Sequence, residues 1–429
     1  MTLWSRMREF LKKVGPGFIT GAADDDPSGI ATYTQTGAQF GYGQLWTAVA
    51  MLPFMVAIQE ACARIGAVTG KGLSRVIKEN YGKKVVYAAV TLVLVANTIN
   101  IGADIGAMAA ATALIIPVRY TVIVLAITLL ILTLEIFLSY RVYSRVLKWL
   151  GLSLLAYPLT VFLVKQPWLK ILQATFVPHI ELNFAFLFII TGVFGTTISP
   201  YMFFWEASGE VEEEGAMRMA WEGGRPKLPA TFLRHLRFDN FLGMLSSEIA
   251  TWSMIVVAAT VLNANGVTDV KTAADAARAL EPLVRTFPNA GAIAKMIFAT
   301  GIVGLGLLGV SVLAGSASYA LTEALNWKEG LNLKFKKAHG FYGVIIAATV
   351  IGLMLDFIGV NPIKALVFAA VLNGVAAVPL IFLIAITARS RSIMGKNRSG
   401  PLSQVFVWLT FAVMAGSAVM MFVTLFLKR

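Results

Sequence analysis

Charge is scarce in this chain, and cysteine and histidine are scarcer still. Asp, Glu, Lys and Arg together make up 14% of the residues, against about 25% in a typical soluble domain. Apolar residues make up 57%. So little charge cannot solvate the surface of a 429-residue globule, which excludes an ordinary soluble protein. The single cysteine, Cys62, rules out an intramolecular disulfide and reads as a small packing residue. The three histidines, His179, His235 and His339, lie outside the long apolar runs or at their ends, which argues against a histidine-based zinc centre. Long polar stretches are missing too. The longest connections run from about 209 to 237 and from 265 to 291. That leaves no room for a soluble domain, and a non-transporting receptor or scaffold has little support. A nucleotide-binding loop is also absent: GLGLLG (304–309) sits inside an apolar run without a strand–turn–helix context. It reads as a place of close helix packing. A cleavable signal peptide is not expected, because the start is charged and the first apolar run is interrupted by acids.

What the chain has instead is a series of apolar runs of about 20 residues, the length needed to cross a hydrocarbon layer of ~30 Å. Eleven candidate spans can be drawn, at about 16–40, 44–66, 85–116, 120–140, 146–165, 184–208, 238–264, 292–323, 340–359, 362–388 and 404–427. All should be helical, since lipid offers no partner for an unpaired backbone group. The net charge of +13 follows the same alternation. Basic residues gather before span one (Arg6, Arg8, Lys12, Lys13) and after span two (Lys71, Arg75, Lys78, Lys83, Lys84). They gather again after span four (Arg141, Arg145, Lys148) and span six (Arg218, Arg225, Lys227, Arg234, Arg237). Lys334, Lys336 and Lys337 follow span eight, and Arg389, Arg391, Lys396 and Arg398 follow span ten. The intervening connections are much less basic. The excess therefore reports orientation in a plasma membrane rather than nucleic-acid binding: N-terminus cytoplasmic, C-terminus outside. The connection TDVKTAADAARALEPLV reads as a solvated surface helix.

Two spans carry an interruption near their middle. Span one is broken at Asp26-Pro27-Ser28-Gly29, within GAADDDPSG, and span six at Gly195-Thr196-Thr197-Ile198-Ser199-Pro200. Interrupted helices at corresponding positions of two halves point to an inverted-repeat transporter with a midplane binding site. Residues 1–165 then form a first five-helix repeat, 184–388 the second, and 404–427 an added eleventh span.

An acid at the bilayer centre costs about 2.5–3.5 kcal/mol on insertion scales and needs a compensating role. Asp26 has a structural role open to it, as the N-cap of a half-helix that begins at Pro27. A serine could cap without the charge, however, so metal binding is read as concurrent with capping. Helix geometry prevents Asp24, Asp25 and Asp26 from sharing one face. A water-filled vestibule and a buried pairing are both open for Asp24 and Asp25. Broken helices free carbonyl groups, here those of Ala23 and Thr196, and Ser199 adds a hydroxyl. Such an all-oxygen set suits magnesium, calcium or manganese. Met202, three residues beyond Ser199, reads as packing.

These residues carry a resemblance. GPGFITGAADDDPSGIATYTQTGAQFGYGQLW resembles the first-span signature of the NRAMP divalent-metal transporters, as do QEACARIGAVTGKGL (59–73) and GLGLLGVSVLAGSASYALTEAL (304–325). The match runs through nearly the whole chain. It implies an all-α membrane protein of LeuT-type fold, with eleven transmembrane helices, two inverted five-helix repeats, and helices 1 and 6 broken. The departures are informative. Where the family has Asp-Pro-Gly-Asn, this chain has Asp26-Pro27-Ser28-Gly29, so the asparagine ligand has become Gly29. Met-Pro-His has become Ser199-Pro200-Tyr201, which removes both the thioether that favours transition metals and the histidine linked to proton movement. Ala-Thr-Asp-Leu-Ala-Glu is similar to Gly102-Ala103-Asp104-Ile105-Gly106-Ala107, keeping the aspartate and losing the glutamate. The span-ten glutamine aligns with Ala369, with Asn373 the nearest polar substitute.

The resemblance thus implies a metal site of Asp26, Ala23, Gly29, Thr196 and Ser199, with Asp24, Asp25, Asp104, Tyr201 and Asn373 as pathway or accessory residues. Small residues at 29, 199 and 369 imply a roomier site in which an ion keeps several waters, as magnesium prefers. The pattern is similar to the NRAMP-related magnesium transporters: an importer of Mg2+, and also Mn2+, without proton coupling. No cofactor is implied, the ion being substrate, and the oligomeric state is not legible. One alternative is a proton-coupled Mn2+ or Fe2+ importer of ordinary NRAMP type. Another is a sodium-coupled symporter of organic solutes, although Asp26 would repel the substrate carboxylate that such sites hold.

Overall fold

Apolar sequence and the need to satisfy every backbone group internally dictate helices, and helices dominate the computed structural model, which describes residues 16–137, 155–216, 219–222 and 225–427. In chain order these are α1 (Pro16–Asp24), α2 (Pro27–Phe40), α3 (Trp46–Thr69), α4 (Leu73–Tyr81), α5 (Lys83–Thr112) and α6 (Tyr120–Phe137). Next come α7 (Ala156–Leu163), α8 (Trp168–Phe176), α9 (Phe184–Thr197), α10 (Pro200–Ala216) and α11 (Ala230–Val261). The short α12 (Ala273–Arg278) and α13 (Glu281–Val284) lead to α14 (Ala290–Leu325), α15 (His339–Leu355), α16 (Pro362–Arg389), α17 (Arg391–Met394) and α18 (Pro401–Leu427). Two two-residue antiparallel strands, Trp221–Glu222 and Arg225–Pro226, complete the elements.

Among the described residues nine helical segments are long and apolar enough to cross a membrane, and they correspond to nine of the eleven expected spans. The other two are spans one and five. Residues 16–40 form two helices, each shorter than a crossing. Residues 146–154 of span five, Lys148 among them, lie outside the described residues, as do Arg141, Arg145, Arg6, Arg8, Lys12, Lys13 and Arg218.

The two interruptions arise from local chemistry. Asp26 has extended backbone (φ −63°, ψ 174°) and its side chain accepts from the Gly29 N–H, so α2 starts afresh at Pro27 with its N-terminus capped. α9 ends at Thr197, and Pro200, which lacks an N–H, opens α10 two residues after Ile198.

Lipid tails are as apolar as leucine, so helices associate through close packing of small residues rather than through the hydrophobic effect. A Cβ at Gly195 of α9 would run into the Ala370 carbonyl of α16, one at Gly66 of α3 into the Ala207 carbonyl of α10, and one at Gly21 of α1 into Gly243 of α11. α14 lies along α5, and α11 packs on both α1 and α2. The two ends of the bundle differ. At one end the basic connections meet: Arg75 pairs with Glu329 at 3.0 Å, Lys78 donates to the Ala324 carbonyl at 2.6 Å, and Arg64 to that of Asn397 at 3.2 Å. At the other end Trp46 donates to the His179 carbonyl, Asn263 to that of Ala38, and Asn361 to that of Lys271.

Two expectations need correcting. The connection 265–291 is not a solvated helix. It forms α12, opened by a reciprocal Thr272–Asp275 capping box, and then α13. Ala273, Ala276, Ala277, Leu280 and Val284 are buried and the elements pack against α14, because the alanines make one face smooth enough to dock. Span six also continues as helix to Ala216, beyond the expected end at 208. Glu206, Glu210 and Glu214, four residues apart, are all buried.

Candidate ion site at the helix interruptions

The carboxylate of Asp26 is buried where the two halves of residues 16–40 meet. Oδ1 accepts from the Ser28 hydroxyl at 2.6 Å and the Gly29 N–H at 2.9 Å, while Oδ2 accepts from Asn100 Nδ2 at 3.1 Å. A carboxylate oxygen has two lone-pair sites, so Oδ1 is saturated and Oδ2 keeps one free. Capping and an available ligand position coexist on one side chain.

The carbonyl groups freed by the breaks are engaged from the second break. Tyr201 Oη donates to the Ala23 carbonyl at 3.0 Å, joining α10 to α1. The Ser199 hydroxyl donates to the carbonyls of Gly195 at 2.6 Å and Thr196 at 2.7 Å. It therefore closes the C-terminal end of α9. Thr196 Oγ1 donates to the Tyr33 hydroxyl at 3.0 Å. Each carbonyl oxygen retains a second lone pair. The expected room at position 29 is not seen: a Cβ there would lie 3.1 Å from the Asp24 carbonyl oxygen and 3.2 Å from the Tyr33 ring. Tyr33 fills the place that an asparagine side chain would take.

Asp104 on α5 is fully buried, neither of its oxygens has a hydrogen-bond partner, and its charge faces Asp26. Asn373 on α16 is likewise buried, with both amide atoms unpartnered, and Ala369 is buried one turn before it. Two asparagines that the sequence reading missed share a face with Asp104: Asn97, Asn100 and Asp104 follow the i, i+3, i+7 spacing of one helix side. Asn97 Nδ2 donates to the Leu313 carbonyl at 2.9 Å, and the Oδ1 atoms of both asparagines are buried and free. Gly309 of α14 was also missed. A Cβ there would lie 2.8 Å from Asp26 Cβ and 3.6 Å from Asp104 Oδ2, so only glycine lets α14 approach this wall.

Asp24 and Asp25 turn elsewhere, toward α11. Asp24 Oδ2 accepts from Ser247 Oγ at 2.7 Å. Asp25 is buried beside the Ser247 and Thr251 hydroxyls, and Glu248 stands nearby with neither oxygen hydrogen-bonded. Of the two arrangements open from sequence, burial within protein is the one observed.

Among the described residues no three His, Cys, Asp or Glu side chains form a metal-holding cluster. Any ion at the breaks would have to supplement the Asp26 carboxylate with carbonyls, hydroxyls and water. A cavity of about 740 Å3 opens at the end of the bundle away from the basic connections, with Gln35, Gly102, Ala103, Asp269, Asp356 and Lys364 among its walls. It reaches the residues beside Asp104 but stops short of Asp26, which is 1% exposed.

Comparison with known proteins agrees with this architecture. Residues 17–424 match the family described as natural resistance-associated macrophage protein-like, or Nramp. The divalent metal cation transporter MntH of Caldanaerobacter subterraneus is 24% identical over 98% of this chain and 94% of its own length. Among solved structures, the Eremococcus coleocola manganese transporter superposes with a TM-score of 0.74 at 15% identity, covering 98% of this chain and 87% of that one. Mhp1, a nucleobase-cation-symport-1 family transporter, superposes with a TM-score of 0.59 at 13% identity over 96% and 90%. The fold is therefore the LeuT-type arrangement, and the chain belongs to the Nramp family of multi-pass membrane transporters of divalent metal cations.

Proposed function

We propose that this protein imports Mg2+, and Mn2+ with it, by alternating access around the paired helix interruptions, without moving protons. The observation that carries the reading is the chemistry at positions 199 and 201. Where an ordinary family site has a thioether and an imidazole, this chain has two hydroxyls, and both are engaged in holding backbone carbonyls. Hard oxygen donors remove the preference for transition metals over magnesium. Asp26 Oδ2 with the carbonyls of Ala23 and Thr196 would contact the ion, and Ser199 and Gly29 would shape its surroundings. The free acceptors of Asn97, Asn100, Asp104 and Asn373 suit water molecules of a partly retained hydration shell, which Mg2+ sheds reluctantly. In this reading 16–40 and 184–215 are the broken helices of two inverted repeats (1–165 and 184–388), with 404–427 added. The basic end faces the cytoplasm, placing the N-terminus inside and the C-terminus outside.

The names of the relatives favour manganese, and one experiment separates the readings. Proteoliposomes containing the full chain should take up both Mg2+ and Mn2+, with millimolar Mg2+ slowing Mn2+ uptake. Mn2+ uptake indifferent to millimolar Mg2+ would instead make this an ordinary manganese importer.

A further inference from the structure

The connection between spans five and six carries an apolar surface that no described element covers. α8 (Trp168–Phe176) has three faces. Ile171 and Thr175 are buried, and Trp252 Nε1 of α11 donates to Thr175 Oγ1 at 3.0 Å. Trp168, Leu169, Leu172 and Phe176 make up the second face and are between 44% and 83% exposed. At 100° per residue these four fall within an arc of about 100°. Lys170 and Gln173 form the third, polar face. A helix divided in this way lies in the plane of a membrane interface, with the apolar stripe toward the acyl chains.

The polar face lines a second cavity of about 740 Å3, shared with Tyr42, His179, Thr260 and Asn263. That volume lies within the range of about 300–1,000 Å3 typical of small-ligand pockets. Among the described residues no acid lines it. Lys170 Nζ lies 5.6 Å from the centroid of the Tyr42 ring. The ring is itself held, since the Tyr42 and Thr260 hydroxyls are 2.8 Å apart and Thr260 donates to Gln166 Oε1 at 2.7 Å. Lys170 makes no ion pair with any described acid. Glu181 is engaged by His179 at 3.2 Å and by Asn183 Nδ2 at 2.7 Å. Val177, itself exposed, lines the cavity and carries the apolar surface past Phe176, so the charged and apolar parts are continuous. Trp46, whose Nε1 donates to the His179 carbonyl at 3.1 Å, is the residue type that sits at headgroup depth.

We infer that this cavity, between α8, the end of α11 and the α2–α3 turn, binds the headgroup of an anionic phospholipid. Its phosphate meets Lys170 and Gln173, and its acyl chains lie along Trp168, Leu169, Leu172 and Phe176. Charge complementarity and continuity with the lipid-facing surface select this occupant. A free phosphate would answer the lysine and leave the stripe uncovered, whereas a neutral lipid would cover the stripe and leave the cation unmatched. One lysine near an anionic lipid surface strengthens binding roughly fivefold. The lining shares no residue with the proposed ion site, so the inference stands whichever cation is carried.

Native mass spectrometry of the full-length protein, titrated in detergent with phosphatidylglycerol or phosphatidylcholine, tests it. The wild type should bind phosphatidylglycerol roughly fivefold more tightly than Lys170→Gln does, and both should bind phosphatidylcholine equally weakly. Leu169→Glu changes the most exposed residue of the stripe, at 83%, so it should fold normally by size-exclusion profile and lose phosphatidylglycerol. Equal affinity of wild type and Lys170→Gln for phosphatidylglycerol, or phosphatidylcholine bound as tightly, would overturn the site. Displacement of the lipid by millimolar inorganic phosphate alone would assign the cavity to a free anion instead. A lipid-free wild-type dimer that Leu169→Glu dissociates would assign the stripe to a second copy of the chain, and either result refutes the lipid.

Discussion

The two oxygens of Asp26 divide their work, one saturated by the Ser28 and Gly29 donors and the other holding Asn100 with a lone pair to spare. Substitution can separate the roles. Serine caps a helix about as well as aspartate, while alanine costs about 1 kcal/mol. Asp26→Ser should therefore melt near the wild-type temperature and bind no Mn2+ at this site. Asp26→Ala should lose both binding and stability. Retained binding in Asp26→Ser, measured calorimetrically, would show that the carboxylate is not a ligand. Gly309 gives a complementary test from the opposite wall. A methyl group 2.8 Å from Asp26 Cβ must push one helix away, and overpacking of this kind costs about 1–3 kcal/mol. Gly309→Ala should cut uptake by roughly tenfold or more, on the scale of about 1.4 kcal/mol per decade. Folded protein should still be recovered, as judged by size-exclusion profile. Unchanged uptake would mean that α14 does not set the position of the carboxylate.

Helix interruptions are local events, which is why they could be located in the sequence. Asp-Pro and Ser-Pro each place a capping side chain before a residue that cannot continue a hydrogen-bonded helix, and both new helices start at the expected proline. What lay across the bundle was not legible. Nothing around Gly29 indicates that Tyr33 occupies its free space, or that Tyr201 reaches back 178 residues to the Ala23 carbonyl. The acids of α10 were missed for a different reason. EASGEVEEEG has the composition of a solvated connection, and only the spacing of Glu206, Glu210 and Glu214 marks a buried face. Glu206 in particular ties three helices together. It accepts from Thr20 of α1 and from Asn240 of α11, the latter at 2.8 Å, and Asp239 beside it accepts from the Gly17 N–H at 2.9 Å. α1 is thus held closed at the basic end by a small set of polar contacts. A buried hydrogen bond contributes about 0.5–1.5 kcal/mol, so Asn240→Ala should raise the open population of α1 by roughly twofold to tenfold. Hydrogen–deuterium exchange across residues 16–24 should accelerate while that of 27–40 stays unchanged. Equal exchange in mutant and wild type would show that this latch does not hold α1.

At the scale of the whole molecule, charge placement and energetics have to agree. The described basic connections meet at one end, and a cytoplasmic position for that end puts the negative side of the membrane potential where the ion is released. A divalent cation moving inward gains about 4.6 kcal/mol per 100 mV, twice the figure for a unit charge. That sustains a concentration ratio of roughly a thousandfold or more, so coupling to a second ion is not required by energy. In the proposed reading the usual relay is also lost, since Ala107 and Tyr201 stand where the resemblance places glutamate and histidine. Asp104 is the remaining acid on that wall, buried and without a hydrogen-bond partner, and it is the residue through which a proton could still accompany the metal. Liposomes holding a potassium diffusion potential and a trapped pH dye resolve the matter. Mg2+ influx should rise as the interior is made more negative and should proceed with no change in internal pH. Internal acidification that tracks Mg2+ influx, and disappears in Asp104→Asn, would mean that coupling survives through this one carboxylate despite the loss of its two expected partners.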